Sequence, residues 1–226
     1  MNNKTRQSFV LFDLDGTLLD TLADLCDATN SVLSEFGLPG HPLTPFRQMV
    51  GQGLRMLVTL ALPEDKRDPE TIERVRSRLD RFLLEHPVTK TRPYPGIPQM
   101  LTALQEAEVP MAILTNKPDP LAQLVVSRLL GTWRFTGIQG QLEGVARKPD
   151  PTAALAMSSA IGVSPGEVLF VGDSDVDMQT ARAAGMVPIG VEWGFRGVDE
   201  LRGAGASRIL SHPAELLDLI ELSPRT

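Results

Sequence analysis

Phe9-Val10-Leu11-Phe12-Asp13-Leu14-Asp15-Gly16-Thr17 is the stretch on which the reading of this chain turns. Four consecutive apolar residues suit a short strand buried on both faces, as in a parallel sheet. The run stops at two aspartates one residue apart. Gly16 then permits a tight turn that most side chains would resist. Polar residues at the end of a buried strand need a reason, and the same pattern recurs further along the chain. Met111-Ala-Ile-Leu114 runs into Thr115-Asn116, and Val168-Leu-Phe-Val171 runs into Gly172-Asp173-Ser174-Asp175, with Asp177 following. Val187-Pro-Ile-Gly-Val191 reads as a fourth strand, and Arg208-Ile-Leu210 as a weaker fifth.

Helical patterns separate these runs. Residues 96–108 place Ile97, Met100, Leu101 and Leu104 on one face, and residues 118–130 do the same with Leu121, Leu124, Val125 and Leu129. A helix over 150–161 is expected to open on Asp150 as N-cap and Pro151 as first helical residue. Strand-helix alternation predicts an α/β fold, a doubly wound, Rossmann-like parallel sheet. In such sheets ligands bind beyond the carboxyl ends of the strands, so Asp13, Asp15, Thr115, Asn116 and Asp173 are expected at one crevice.

Residues 21–90 interrupt the alternation. Leu22, Leu25, Cys26, Val32, Leu33 and Phe36 form a helical stripe ending at Gly37. Asp20-Thr21 is expected to cap it. Thr44-Pro45 opens a second helix, broken at Gly51-Gln52-Gly53 and resumed to about Leu62. Asp68-Pro69 opens a third, with Ile72, Val75, Leu79, Phe82 and Leu83 at helical spacing. The expected organisation is therefore an α/β core, residues 1–20 and 91–226, with an inserted all-helical cap, residues 21–90.

The bulk numbers set limits. Of 226 residues, 42% are hydrophobic and 22% charged, as in ordinary globular chains. No stretch is apolar enough to span a bilayer, and the polar residues 1–8 do not form a secretory leader. A single cysteine excludes an internal disulfide framework. The cytoplasm is the expected compartment, with no membrane partner and a monomer or homodimer. A net charge of −6 without a basic block argues against nucleic acid. Converging carboxylates repel one another unless a cation sits among them. All the candidate ligands are oxygens, which favours a hard ion, and Mg²⁺ suits a site beside a phosphate. Lys148 offers a second, fixed positive charge.

Asp13-Leu14-Asp15-Gly16-Thr17, Thr115, Lys148 and Gly172-Asp173-Ser174-Asp175-Val176-Asp177, in that order, resemble the four motifs of the haloacid dehalogenase-like hydrolases. The likeness covers nearly the whole chain, including the helical insert. It implies that Asp13 is a nucleophile forming an aspartyl-phosphate, and that Asp15 is the general acid and base. It implies that Thr115, Asn116 and Lys148 bind phosphate. Asp13, the backbone carbonyl of Asp15, and Asp173 would hold Mg²⁺, with Asp177 a neighbouring or occasional ligand that also fixes Lys148. Gly16 would allow the tight turn that brings backbone N–H groups to the phosphate.

Within the family the chain looks most like phosphoglycolate phosphatases, through its cap length, Gly51-Gln52-Gly53, Thr115-Asn116-Lys117-Pro118 and Val191-Glu192-Trp193-Gly194-Phe195. The implied activity is hydrolysis of a small-molecule phosphate ester, with 2-phosphoglycolate first. A dehalogenase would not need Asp15, and a phosphonatase would need a suitable cap lysine. A phosphomutase acting on a hexose phosphate would use the same two aspartates and stays open, as does a non-catalytic binding module on the same fold.

Overall fold

The structure is a computed structural model and describes residues 8–220. Its centre is a six-stranded parallel sheet. In chain order the strands are β1 (Phe9–Phe12), β4 (Met111–Pro118), β5 (Gly137–Gln141), β6 (Val168–Gly172), β7 (Val187–Val191) and β8 (Arg208–Leu210). Their order across the sheet is β5-β4-β1-β6-β7-β8. β1 is central: the chain builds outward on one side through β4 and β5, then crosses back to β6. That reversal opens the crevice at the carboxyl ends of β1, β4 and β6.

The period-two geometry of a strand divides the apolar runs between two layers. Val10 and Phe12, with Ile113 and Val171, pack on one face against helices α5 (Ile97–Glu106) and α6 (Asp119–Leu129). Phe9 and Leu11, with Leu114 and Phe170, face α7 (Thr152–Ala160) and α8 (Asp175–Ala183) on the other. Helix α9 (Val198–Gly203) sits between β7 and β8 in sequence. The α/β fold class expected from the sequence is the one found.

The remaining helices are α1 (Leu22–Glu35), α2 (Leu43–Met49), α3 (Leu54–Ala61) and α4 (Pro69–Glu85). They form a helical unit between two tiny strands, β2 (Leu19–Asp20) and β3 (Arg92–Pro93), which pair antiparallel. The chain thus leaves and re-enters the sheet through adjacent segments. Asp68 caps α4 by accepting from Thr71 N at 2.9 Å, with Pro69 at the first helical position. Gly37 ends α1 in the left-handed region, φ +68°.

Three local expectations need correction. Thr21 occupies the N-cap position of α1, but its hydroxyl is buried without a partner, and Asp20 Oδ1 instead accepts from Leu22 N. Helix α2 opens at Leu43, one residue before Thr44. Pro151, not Asp150, is the N-cap of α7; the Asp150 carboxylate still accepts from Thr152 N at 2.9 Å.

The return linker is pinned by Asp24. Its carboxylate accepts from the backbone N–H groups of Thr89, Lys90 and Thr91 and from the Thr91 hydroxyl, at 2.6–3.0 Å. Burial pushes this carboxyl up, but those hydrogen bonds outweigh it and hold it below the usual carboxylate range. A depressed folded pKa adds stability above the unfolded value, near 4, and loses it as pH falls. Asp24→Ala is therefore expected to cost about 2 kcal/mol at pH 7. The penalty should shrink as urea melts are repeated at pH values falling below about 4.

Candidate active site

Asp13, Thr115 and Asp173 are delivered by the ends of buried strands. Asp13 directly follows β1, its N–H bonded to Val171 O at 2.9 Å. Asp173 follows β6, and Thr115 and Asn116 lie within β4, which runs four residues beyond the expected Leu114. Asp177 stands in the first turn of α8. Ser174 caps that helix, and the Asp177 carboxylate accepts from Ser174 N and Oγ at 3.1 and 2.6 Å. The cap therefore fixes the carboxylate as well as the helix start.

These residues meet. Asp13, Asp173 and Asp177 are all buried, and each offers an oxygen within 4.8 Å of the others. Lys148, 4% exposed, enters from the loop before α7. Its Nζ lies 2.7 Å from Asp177 Oδ1 and 2.8 Å from Asp13 Oδ1. The contact with Asp13 is an ion pair, and that oxygen has no further hydrogen-bond partner. Three clustered, buried carboxylates thus share one ammonium, which contacts two of them, Asp13 and Asp177.

The electrostatics show the deficit. Burial pushes the Asp13 carboxyl up to about 7 against the pull of Lys148, with Asp177 and Asp15 adding to the rise. Asp173 is also driven upward, by burial and then by Asp177 and Asp13, although the Phe195 N–H and Arg196 oppose it. Burial alone would lower the Lys148 ammonium, but Asp13 and Asp177 together raise it above its ordinary range. A hard divalent cation fits an all-oxygen set with excess negative charge. The acidic cluster could therefore hold a metal ion.

Asp15 stands slightly apart. Both of its oxygens lie 2.9 Å from Lys117 Nζ in an ion pair almost closed to solvent. Lys117 had no role in the sequence reading, although it belongs to the quoted Thr115-Asn116-Lys117-Pro118 segment. Its signal was only the alternation of β4, which does not say that its ammonium crosses to β1.

Asn116 was expected at the phosphate, but its side chain is committed elsewhere. Nδ2 donates to Gly51 O and Lys148 O at 3.0 and 3.1 Å, and Oδ1 accepts from Lys148 N at 3.0 Å. Both amide protons are used, so the side chain has none left for an anion. It instead joins the helical unit to the Lys148 loop. Gly16 makes the tight turn expected of it. Its N–H donates to Leu19 O at 2.8 Å. The requirement for glycine is a φ of +85° and the approach of Asp173, whose Oδ2 would lie 2.2 Å from any Cβ placed there. Thr115 Oγ1 accepts from Lys117 N at 3.3 Å and lies against the cavity.

That cavity is small, about 40 Å³, and lies over Asp13 and Asp15. Thr115, Asn116 and Lys117 form its polar floor, while Leu25, Val50, Leu54, Leu57, Leu83 and Leu121 supply apolar walls. Gly51 and Gly53 reach it from the helical unit. Both have positive φ, +114° and +83°, so the break between α2 and α3 brings backbone close to the site.

The haloacid dehalogenase-like hydrolase family profile matches residues 10–191, which include every residue of this site and the helical unit. The chain belongs to that family. Among relatives, an N-acetylmuramic acid 6-phosphate phosphatase of Pseudomonas aeruginosa is 34% identical over 219 residues, spanning 96% of each chain. A phosphoglycolate phosphatase of Xanthomonas campestris pv. campestris is 35% identical over 214 residues, 92% of this chain and 93% of that one. Among solved structures, a predicted phosphoglycolate phosphatase from Haemophilus somnus superposes with a TM-score of 0.86 at 25% identity, covering 96% of this chain and 99% of its own. This haloacid dehalogenase-like hydrolase is thus an enzyme that resembles the phosphoglycolate phosphatase-like members. No helix among the described residues is long and apolar enough to cross a membrane.

Proposed function

We propose that the chain is a magnesium-dependent phosphatase that hydrolyses a small phosphomonoester through an aspartyl-phosphate on Asp13. The observation that carries this reading is the buried Asp13, Asp173 and Asp177 set with Lys148 among its carboxylates. Asp13, the backbone carbonyl of Asp15, and Asp173 would hold the Mg²⁺, and Asp177 borders the set while fixing Lys148. When bound, the ion would neutralise charge on the phosphate and on the approaching carboxylate.

The residues divide the remaining work. Asp13 attacks phosphorus and becomes the acyl phosphate. Lys148 draws negative charge away from the transferring group, and Thr115 offers it a hydroxyl. Asp15 protonates the departing oxygen, then takes a proton from the water that releases phosphate. Asp15 is held by Lys117 in an ion pair, which has to open for its carboxyl to reach the departing oxygen. The helical unit, residues 21–90, acts as a cap whose apolar walls exclude water from the acyl phosphate. A phosphatase must readmit one water, whereas a mutase must readmit its sugar.

The substrate proposed first is 2-phosphoglycolate. Its support is the small cavity and the several phosphoglycolate phosphatases among the relatives. A second reading, a sugar phosphate, is favoured by a wider groove running on from the cavity through Gly53, Leu54, Asn116 and Pro118. Arg55, Arg76 and Arg147 line that groove, and the N-acetylmuramic acid 6-phosphate phosphatase is among the relatives.

Phosphate release should be measured with 2-phosphoglycolate, N-acetylmuramic acid 6-phosphate and hexose phosphates, each with Mg²⁺ and with chelator. The expected result is hydrolysis that stops on chelation and returns with Mg²⁺, with kcat/KM highest for 2-phosphoglycolate. Preference for a sugar phosphate would select the second reading. Absence of hydrolysis in folded protein would leave the non-catalytic module.

A further inference from the structure

The loop after β7 takes no part in the chemistry above, yet it touches both the acidic set and the helical unit. On the core side, the Trp193 indole Nε1 donates to Thr17 O at 3.0 Å. Gly194 lies so close that any Cβ would stand 2.3 Å from Asp173 Cβ and 2.5 Å from Gly16 O. The next residue donates its backbone N–H to Asp173: Phe195 N to Oδ2, 2.7 Å. This bond fixes one carboxylate oxygen and so sets the direction of the other.

The other side of the same segment is gripped by the helical unit. Arg47, in α2, donates to Gly194 O at 3.1 Å. Arg196 is buried in the seam and reaches the opposite way, its Nη2 donating to Val50 O at 2.8 Å and Gln48 O at 3.4 Å. Glu200 holds its Nε in an ion pair at 3.0 Å. Four consecutive residues therefore carry the first-motif turn, the Asp173 carboxylate and the α2–α3 break.

We propose that Trp193–Arg196 couples seating of the helical unit to the geometry of Asp173, with Arg47 and Arg196 as positioning residues for the metal ligand set. This rests on the reading of Asp173 as a metal ligand. The physical argument is short range. Gly194 and Phe195 have no room to shift without moving Asp173, and the bonds from Arg47 and Arg196 pull on these residues from the cap side. When the unit is seated, the Phe195 N–H is held against Asp173. When it lifts, the loop loses those tethers and the carboxylate loses its fixed orientation. Coupling of this kind is reciprocal, so metal binding also favours the seated unit. Substrate admission and metal affinity are then linked through one loop.

The test is calorimetric titration of Mg²⁺ into the full-length protein without substrate, comparing wild type with Arg47→Ala, Arg196→Gln and Arg196→Lys. Circular dichroism establishes that each is folded. Arg47→Ala removes one surface-side hydrogen bond, so it keeps the test valid if an Arg196 variant fails to fold. The expected result is Mg²⁺ affinity weakened about five- to tenfold in Arg47→Ala. The loss should be at least as large in Arg196→Gln and partly recovered in Arg196→Lys. A loop that merely packs against the helical unit would lower Tm while leaving Mg²⁺ affinity unchanged. Wild-type affinity in folded Arg47→Ala and Arg196→Gln would overturn the coupling. Failure of wild type itself to bind Mg²⁺ would overturn the proposed function and the coupling with it.

Discussion

Asp13→Asn is expected to lower kcat by about ten-thousand-fold or more, because the proposed reaction runs through an acyl phosphate that an amide cannot form. The side chain is buried at the end of the central strand, with Asp173 and Asp177 beside it and Lys148 in contact. An amide of the same shape keeps the packing but cannot form an acyl phosphate. Substrate binding should survive, since Thr115, Lys148 and the cavity walls are untouched. The variant should also fold well. It removes one of three crowded carboxylates, and burial already disfavours the charged form of Asp13. A Tm equal to or above that of wild type, with inhibitor binding intact and turnover lost, would separate a chemical role from a structural one. Retained turnover would count against the nucleophile.

Lys148→Ala is expected to damage both stability and activity. The ammonium is the shared partner of Asp13 and Asp177, all three groups being buried. Removing one member of a buried ionic set leaves uncompensated charge and typically costs about 3–5 kcal/mol. The sign with pH is fixed by the raised pKa of Lys148. A cation with an elevated folded value contributes fully below its unfolded value, near 10, and loses that contribution only as pH rises through the higher folded value. The penalty should therefore be complete at pH 7. Millimolar Mg²⁺ should restore part of it, since an ion bound only by the folded state stabilises by mass action. Chemical melts with and without Mg²⁺ would check this. A melt indifferent to the substitution would mean that Lys148 does not carry the charge balance assigned to it.

Much of the fold was legible because buried parallel strands leave an unmistakable trace. Phe9–Phe12, Met111–Leu114 and Val168–Val171 are apolar at every position, short, and separated by helical patterns, which together suit a sheet covered on both faces. Strand β5, Gly137–Gln141, was not seen. It is an edge strand, half-buried and built of Gly-Ile-Gln-Gly-Gln, so it lacks both alternation and apolar content. The order of the four motifs likewise announced Asp13, Asp15, Thr115, Lys148 and Asp173.

What the sequence withheld were contacts made by tertiary approach alone. Lys117 and Asp15 are 102 residues apart in the chain, and Arg196 meets Val50 across 146. No local pattern encodes such pairs. Asn116 shows the converse. Its place in a motif suggested phosphate, while its amide is saturated by Gly51 and Lys148. A motif identifies which residues lie near the chemistry, but hydrogen-bond accounting decides what each one is free to do.

The measurement that bears most directly on the central claim uses Asp15→Asn with dinitrophenyl phosphate. That leaving group departs without a proton, so loss of the acid should not prevent phosphoryl transfer to Asp13. Loss of the base should stall release of the acyl phosphate. In rapid mixing with Mg²⁺, the expected result is a burst of dinitrophenolate equal to the enzyme present, followed by a much slower phase. The burst should vanish with chelator or when Asp13→Asn is added. Linear release without a burst, or a burst that persists without Asp13 or without Mg²⁺, would contradict the account.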